Sequence, residues 1–225
     1  ADSWIIVSAH YDHLPPRDSG DDRVYNGAND DASGVAAMLE VAAVVRDARP
    51  KRSVLFIAFT AEEAGLHGSR WYADHPLVPL ARTIAHINLE CLGVPTEGRT
   101  MKITGLTLTD LAGTIAREAK QAGTGVIEDA RSETFFRLSD NASLADKGVP
   151  AVTVAGAFEY PNLHQTSDEW PTLDYNLFAS FANVISRATL AIAASPTVPQ
   201  WREDNRATSR YVKAWRELHS SGGHE

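Results

Sequence analysis

Residues 4–13 read WIIVSAHYDH, a run of apolar and β-branched side chains that gives way abruptly to His10, Tyr11, Asp12 and His13. A short apolar run bounded by polar residues fits a buried strand, and here the strand over 4–9 ends on side chains able to bind metal. Two further runs share its character, 53–60 (SVLFIAFT) and 84–92 (IAHINLECL), and 151–154 reads as an inner strand. Between the first two, Val35, Met38, Leu39, Ala42 and Val45 recur at helical spacing after DDASG, whose Asp and Ser residues suit a helix start. Stretches 108–122 and 177–193 also read as helices, and 205–219 as a terminal one. Strands alternating with helices imply an α/β fold with a mainly parallel sheet and right-handed crossovers. Without repeats or low-complexity linkers, residues 1–225 read as one domain, with 203–225 forming a terminal helix and tail.

Composition narrows the partners. Of the 225 residues 44% are hydrophobic and 22% charged, which excludes a coiled coil, a collagen-like fibre and a disordered tail. Twenty-one Lys and Arg against 29 Asp and Glu give a net charge of -8 with the basic residues scattered, so nucleic acid is not an expected partner. No apolar run approaches the ~18 residues of a membrane helix, and no basic stretch precedes the first apolar one. A soluble chain without a membrane partner is the expectation. The single Cys91 rules out an internal disulfide and marks no redox compartment.

In open parallel sheets the ligand site lies beyond the carboxyl ends of the strands. Polar residues just after the predicted strands are therefore the candidates. His10 follows the first strand, Glu62 and Glu63 the second, Glu90 sits near the end of the third, and His164 lies in a loop about ten residues beyond the 151–154 strand. With Asp30, five of these side chains, His10, Asp30, Glu63, Glu90 and His164, are possible zinc ligands. Two imidazoles and three carboxylates suit two zinc ions sharing one bridging carboxylate, for which Asp30 is the candidate; another divalent metal would fit the same donors. The neighbouring Glu62 and Glu63 repel one another unless a cation neutralises one. A metal on Glu63 leaves Glu62 free to accept a proton from water as a general base.

Six segments carry a family resemblance: HYD at His10, GANDDASG at 27–34, TAEEAGLHGS at 60–69, INLE at 87–90, SDNAS at 139–143 and HQTSDEW at 164–170. In order and spacing they resemble the di-zinc aminopeptidases of the bacterial leucyl aminopeptidase, Streptomyces-type aminopeptidase and glutamate carboxypeptidase family. The resemblance implies a three-layer α/β/α zinc-peptidase fold and cleavage of the peptide bond after a free amino-terminal residue, so that the partner is a peptide or aminoacyl substrate. It implies one zinc on His10, Asp30 and Glu90 and a second on Asp30, Glu63 and His164, with Glu62 as general base. Asp12 matches the carboxylate that fixes the tautomer of the ligating His10, and Asp168 takes a similar supporting position. A cis peptide between Asp30 and Asp31 is implied too, as is a secreted or periplasmic setting. Nothing in the sequence speaks to oligomeric state.

Two departures stand out. The third-strand ligand is Glu90 where relatives usually carry Asp, and Leu163 stands where many carry an oxyanion-binding Tyr, a role that Tyr160 could take over. Taken singly, each histidine would serve as readily in a core, and Asp30 and Asp31 as helix caps; the register of all the donors argues for metal, with Asp31 left to capping or supporting bonds. Asp140 reads as the cap of the SDNAS helix ahead of a metal contact. His13, His67, His75 and His86 default to packing or the surface, and His219 and His224 to a solvated tail. Phe135, Phe136, Phe158 and Tyr160 fit either a core or a pocket wall. Carboxypeptidase or dipeptidase activity would need an arginine, for which Arg131 and Arg137 are the candidates. A glutaminyl-cyclase-like acyltransferase with one zinc, or a non-enzymatic binding domain, are the remaining alternatives.

Overall fold

A computed structural model describes residues 2–94, 97–127 and 131–220; His224 and the last residues of the expected tail lie outside them. Strand β1 (Trp4–His10) occupies an interior position because it is apolar on both faces: Ile5, Ile6, Val7 and Ala9 are wholly buried. It pairs in parallel with β2 (Ser53–Phe59) on one side and β3 (Thr83–Glu90) on the other. β3 pairs in parallel with β6 (Ala151–Ala155), giving the order β2-β1-β3-β6-β4-β5. The short strands β4 (Met101–Ile103) and β5 (Val126–Ile127) are parallel to each other, but β4 runs antiparallel to β6, so the sheet is mostly parallel with a reversed edge.

Helices cover both faces. α1 (Ser33–Ala48), α3 (Asp110–Gln121) and α6 (Tyr175–Ala194) pack with Val7, Ile87, Leu89 and Val154 in the larger core. α2 (His67–Asp74), α4 (Ser132–Leu138), α5 (Asn141–Ala145) and α7 (Ser209–Ser220) contribute Tyr72, Phe136, Leu144 and Tyr211 to the cores on the opposite face. The expectation about apolar length needs correcting: α6, 20 residues long, is by length and composition apolar enough to cross a membrane. Its apolar character serves packing, since Phe181, Val184, Ile185 and Ala188 are buried against α1 and α3.

The expected 108–122 and 177–193 helices correspond to α3, capped by the Thr109 hydroxyl, and α6, capped by the Asp174 carboxylate. The terminal stretch divides into a short turn over Arg206–Thr208 and α7. Parallel register brings the carboxyl ends of β1, β2, β3 and β6 to one rim, with His10 opposite Phe59 and Glu90 opposite Ala155.

Candidate metal centre

His10 ends β1 with its ring 1% exposed, and its Nδ1–H donates to the backbone oxygen of Asp12 at 3.1 Å. That bond leaves Nε2 bare, 3.1 Å from Oδ1 of Asp30. Asp30 sits in the turn Ala28–Ala32, where the Asp30–Asp31 peptide is cis. Its other oxygen, Oδ2, lies 3.2 Å from Nε2 of His164, and the same nitrogen is 3.2 Å from Oε2 of Glu63. Donors about 2.0–2.1 Å from a tetrahedral zinc lie roughly 3.3 Å from one another. Spacings of 3.1–3.2 Å on both oxygens of Asp30 are close to that separation, so a histidine faces each oxygen of this carboxylate at a distance compatible with shared metal ligation.

Glu90, at the end of β3 and 8% exposed, lines the same cavity. Its Oε2 accepts from the Ser139 hydroxyl at 2.7 Å, and its charge acts on the His10 ring. Charge tells the same story. Burial opposes a proton on His10, but contacts with Asp12 and Asp30 outweigh it and raise its pKa. Contact with Asp30 likewise raises His164. Burial and the charge of Glu90 push Glu62 up to about 10, and burial pushes Glu90 up to about 7 despite His10 and Ser139. Two raised histidines, a lowered Asp30 between them and a raised Glu90 describe a buried cluster in which the carboxylates outnumber the cations facing them, an arrangement that a metal ion would relieve.

Supporting carboxylates hold the loops that carry these donors. Both oxygens of Asp12 accept backbone N–H groups, from Glu62 at 3.1 Å and Glu63 at 3.3 Å, while its carboxylate stays 3.6 Å from the His10 ring. The tautomer of His10 is thus fixed by the Asp12 carbonyl, and the side chain fixes the Glu62–Glu63 loop. Asp31 accepts from the backbone of His10, Cys91 and Gly34, stitching the ends of β1 and β3 to the first turn of α1. Its closeness requires glycine at 34, where a Cβ would fall 2.4 Å from the Asp31 carboxylate. Asp168 accepts from the backbone of Asn29 and Asp30 and from the Tyr160 hydroxyl, each at 3.1 Å.

Several expectations change here. Tyr160 is committed to Asp168 instead of the cavity, so it does not replace the missing oxyanion tyrosine; Leu163 lines the cavity wall. Asp140 stands at the start of α5 yet makes no capping bond, and both its oxygens are buried without a hydrogen-bond partner, with burial pushing its pKa to about 6. His13 is no bystander: its Nδ1 is 2.7 Å from Oε1 of Glu63. The sequence hint was its position three residues past His10, but only the fold reveals which way the chain turns beyond the strand. His86 is a core residue, whereas His67 is exposed, His75 stacks on Trp71 and His219 packs at a tilt against Trp215. Cys91, buried next to Glu90, has its thiol pKa raised by burial and is no nucleophile.

The cavity above the donors has a volume of about 350 Å³. Phe135 and Phe158, stacked at 4.4 Å, wall it with Leu138 and Leu163, whereas Phe136 packs against Trp201 and Tyr211 in the core. Arg137 lines it, as does Arg70, which sequence reading overlooked; Arg131 pairs with Glu159. Ala61, Cys91 and His164 hold positive φ angles of 54°, 51° and 55°, an unfavourable conformation for side-chain-bearing residues that concentrates at functional turns.

Comparison with known proteins follows the same line. The sequence profile described as Peptidase family M28 matches residues 1–189. Aminopeptidase YwaD of Bacillus subtilis (strain 168) is 32% identical over 146 residues, 64% of this chain and 30% of that protein. The solved aminopeptidase from Aneurinibacillus sp. strain AM-1 superposes with a TM-score of 0.68 at 26% identity, covering 88% of this chain and 45% of that one. The zinc aminopeptidase BSAP from Bacillus subtilis shares the fold, with a TM-score of 0.70 at 24% identity over 92% of this chain and 48% of that one. The chain thus spans about half of these solved aminopeptidases and under a third of YwaD.

Proposed function

The chain belongs to peptidase family M28, and on that premise we propose that it is a zinc-dependent exopeptidase, an aminopeptidase acting on peptides with a free amino terminus. The observation that carries this reading is the donor spacing: His10 at 3.1 Å from one oxygen of Asp30, and His164 at 3.2 Å from the other. His10, Asp30 and Glu90 would hold one zinc, and Asp30, Glu63 and His164 a second. Bound zinc supplies Lewis-acid polarisation of the scissile carbonyl and acidifies water toward a pKa of about 7.

The protein's part is proton handling and orientation. Glu62 borders the cavity without belonging to the five donors, and its backbone N–H is fixed by Asp12. A carboxylate oxygen of Glu62 takes the proton from the attacking water and returns it to the departing nitrogen. Asp12 and Asp168 keep the loops in register, and the Phe135–Phe158 wall excludes water and receives an apolar side chain. Hydrolysis of aminoacyl amides is the direct test: unblocked substrates should be cleaved after zinc loading, and neither amino-blocked substrates nor chelator-treated protein should give turnover. Equal cleavage of blocked and unblocked substrates would refute the aminopeptidase reading.

A dipeptidase reading draws support from Arg70 and Arg137, which line the same cavity and could meet a substrate carboxylate. Preference for a dipeptide over its carboxamide by more than tenfold would favour it.

A further inference from the structure

His13 lies within the donor cluster although no zinc assignment needs it. Its ring is 11% exposed and wedged edge-on between Tyr25 and His164, at 6.0 and 5.8 Å between centroids. Glycine at 27 leaves room for it, since a Cβ there would approach the His13 ring to 3.1 Å. Its Nε2 is buried without a hydrogen-bond partner, a situation that a bare ring nitrogen tolerates better than an N–H. The proton therefore belongs on Nδ1, which lies 2.7 Å from Oε1 of Glu63.

Distances separate the two roles open to this ring. Two donors on one tetrahedral zinc stand roughly 3.3 Å apart, close to the 3.1–3.2 Å of His10 and His164 to their carboxylates, whereas a contact well below 3 Å is too short for that and fits a hydrogen bond. The 2.7 Å contact is a hydrogen bond, and Nδ1 is 4.0 Å from Oδ2 of Asp30, farther than the 3.2 Å of His164. Glu63 thus has one oxygen facing His13 and the other, Oε2, facing His164. The Ser139 hydroxyl treats Glu90 in the same way, occupying one oxygen and leaving its twin free.

We propose that His13 is a positioning residue that clamps Oε1 of Glu63, so that Glu63 serves the His164-side ion through Oε2 alone. This rests on the two-zinc reading given above. Competition titration of the full chain against a chromophoric chelator tests it with zinc alone, independently of turnover. Wild type should bind two ions. His13→Ala should retain one at full affinity and hold the other about 10- to 100-fold more weakly. His13→Asn, whose amide N–H stands near the Nδ1 position, should recover most of the loss. Nitrogen-15 spectra of the zinc-loaded protein should show an N–H at Nδ1 of His13 and no metal on the ring.

Wild-type affinity for both ions in His13→Ala would overturn the clamp. So would a His13→Asn variant as weak as the alanine one, because an N–H donor at the Nδ1 position would then not account for the affinity. Should the alanine variant not fold, His13→Gln, whose amide reaches toward the Nε2 position, takes its place and should remain weak. A wild-type chain binding no zinc would instead refute the exopeptidase reading, and His13's role with it.

Discussion

His10 and His164 each face one oxygen of Asp30, yet they are presented by different kinds of structure. His10 closes a strand inside the sheet with 1% of its side chain exposed, and its partner Glu90 closes the next strand. His164 hangs from the 156–169 loop with 46% exposed, and Glu63 follows an irregular turn after β2. The strand-borne half is therefore part of the folding core, whereas the loop-borne half can be altered without touching it. Function and stability should separate along this line.

Glu62 offers the largest effect. Glu62→Gln should lower kcat by about 10²–10⁴ while keeping both ions and the fold, because it removes a base and no donor. Steady-state kinetics beside metal analysis checks this, and near-normal turnover would remove Glu62 from the mechanism. The histidines come next. His164→Ala should leave one zinc per chain and unchanged urea unfolding after chelation, whereas His10→Ala should also cost about 1–3 kcal/mol of stability by leaving buried carboxylates without their partner. Equal stability losses in the two variants would erase the contrast.

Gly34→Ala sharpens it further. The new methyl would press on the Asp31 carboxylate, and overpacking of this kind costs about 1–3 kcal/mol. Since Asp31 ties His10 to Cys91, metal analysis should show loss on the strand-borne side first.

An effect absent at neutral pH and visible only on acidification concerns a third histidine, His86, also buried in the sheet. Its Nε2–H donates to Ser8 at 2.7 Å and burial lowers its pKa to about 3. The unfolded chain binds this proton from about pH 6.5 downward and the folded chain does not. The stability from His86 is therefore complete above pH 6.5 and lost progressively as pH falls toward 3, by up to about 1.4 kcal/mol per pH unit. Urea titrations between pH 7 and 5 should show that slope in the wild type and a shallower one in His86→Asn.

Much of this was legible in the sequence because burial on two faces writes itself as an unbroken apolar run. β1, β3 and β6 announced themselves this way, and the donors followed at their ends. The short β4 and β5 and the reversed edge carry too few residues to show a period. α6 misled for the opposite reason: burial leaves it apolar over the length of a membrane span. Within the site, hydrogen bonds across large sequence separations were invisible. His13 meets Glu63 over 50 residues and Ser139 meets Glu90 over 49, while the Tyr160 bond to Asp168 spans only 8 but lies in a loop without a period to read.

The paired clamps on Glu63 and Glu90 bear on which cations this protein would accept. A carboxylate hydrogen-bonded through one oxygen presents the other more readily to an ion, which disfavours bidentate binding at these two positions. Calcium, which gathers six to eight oxygens at about 2.3–2.6 Å, should therefore bind more weakly here than small ions content with four neighbours.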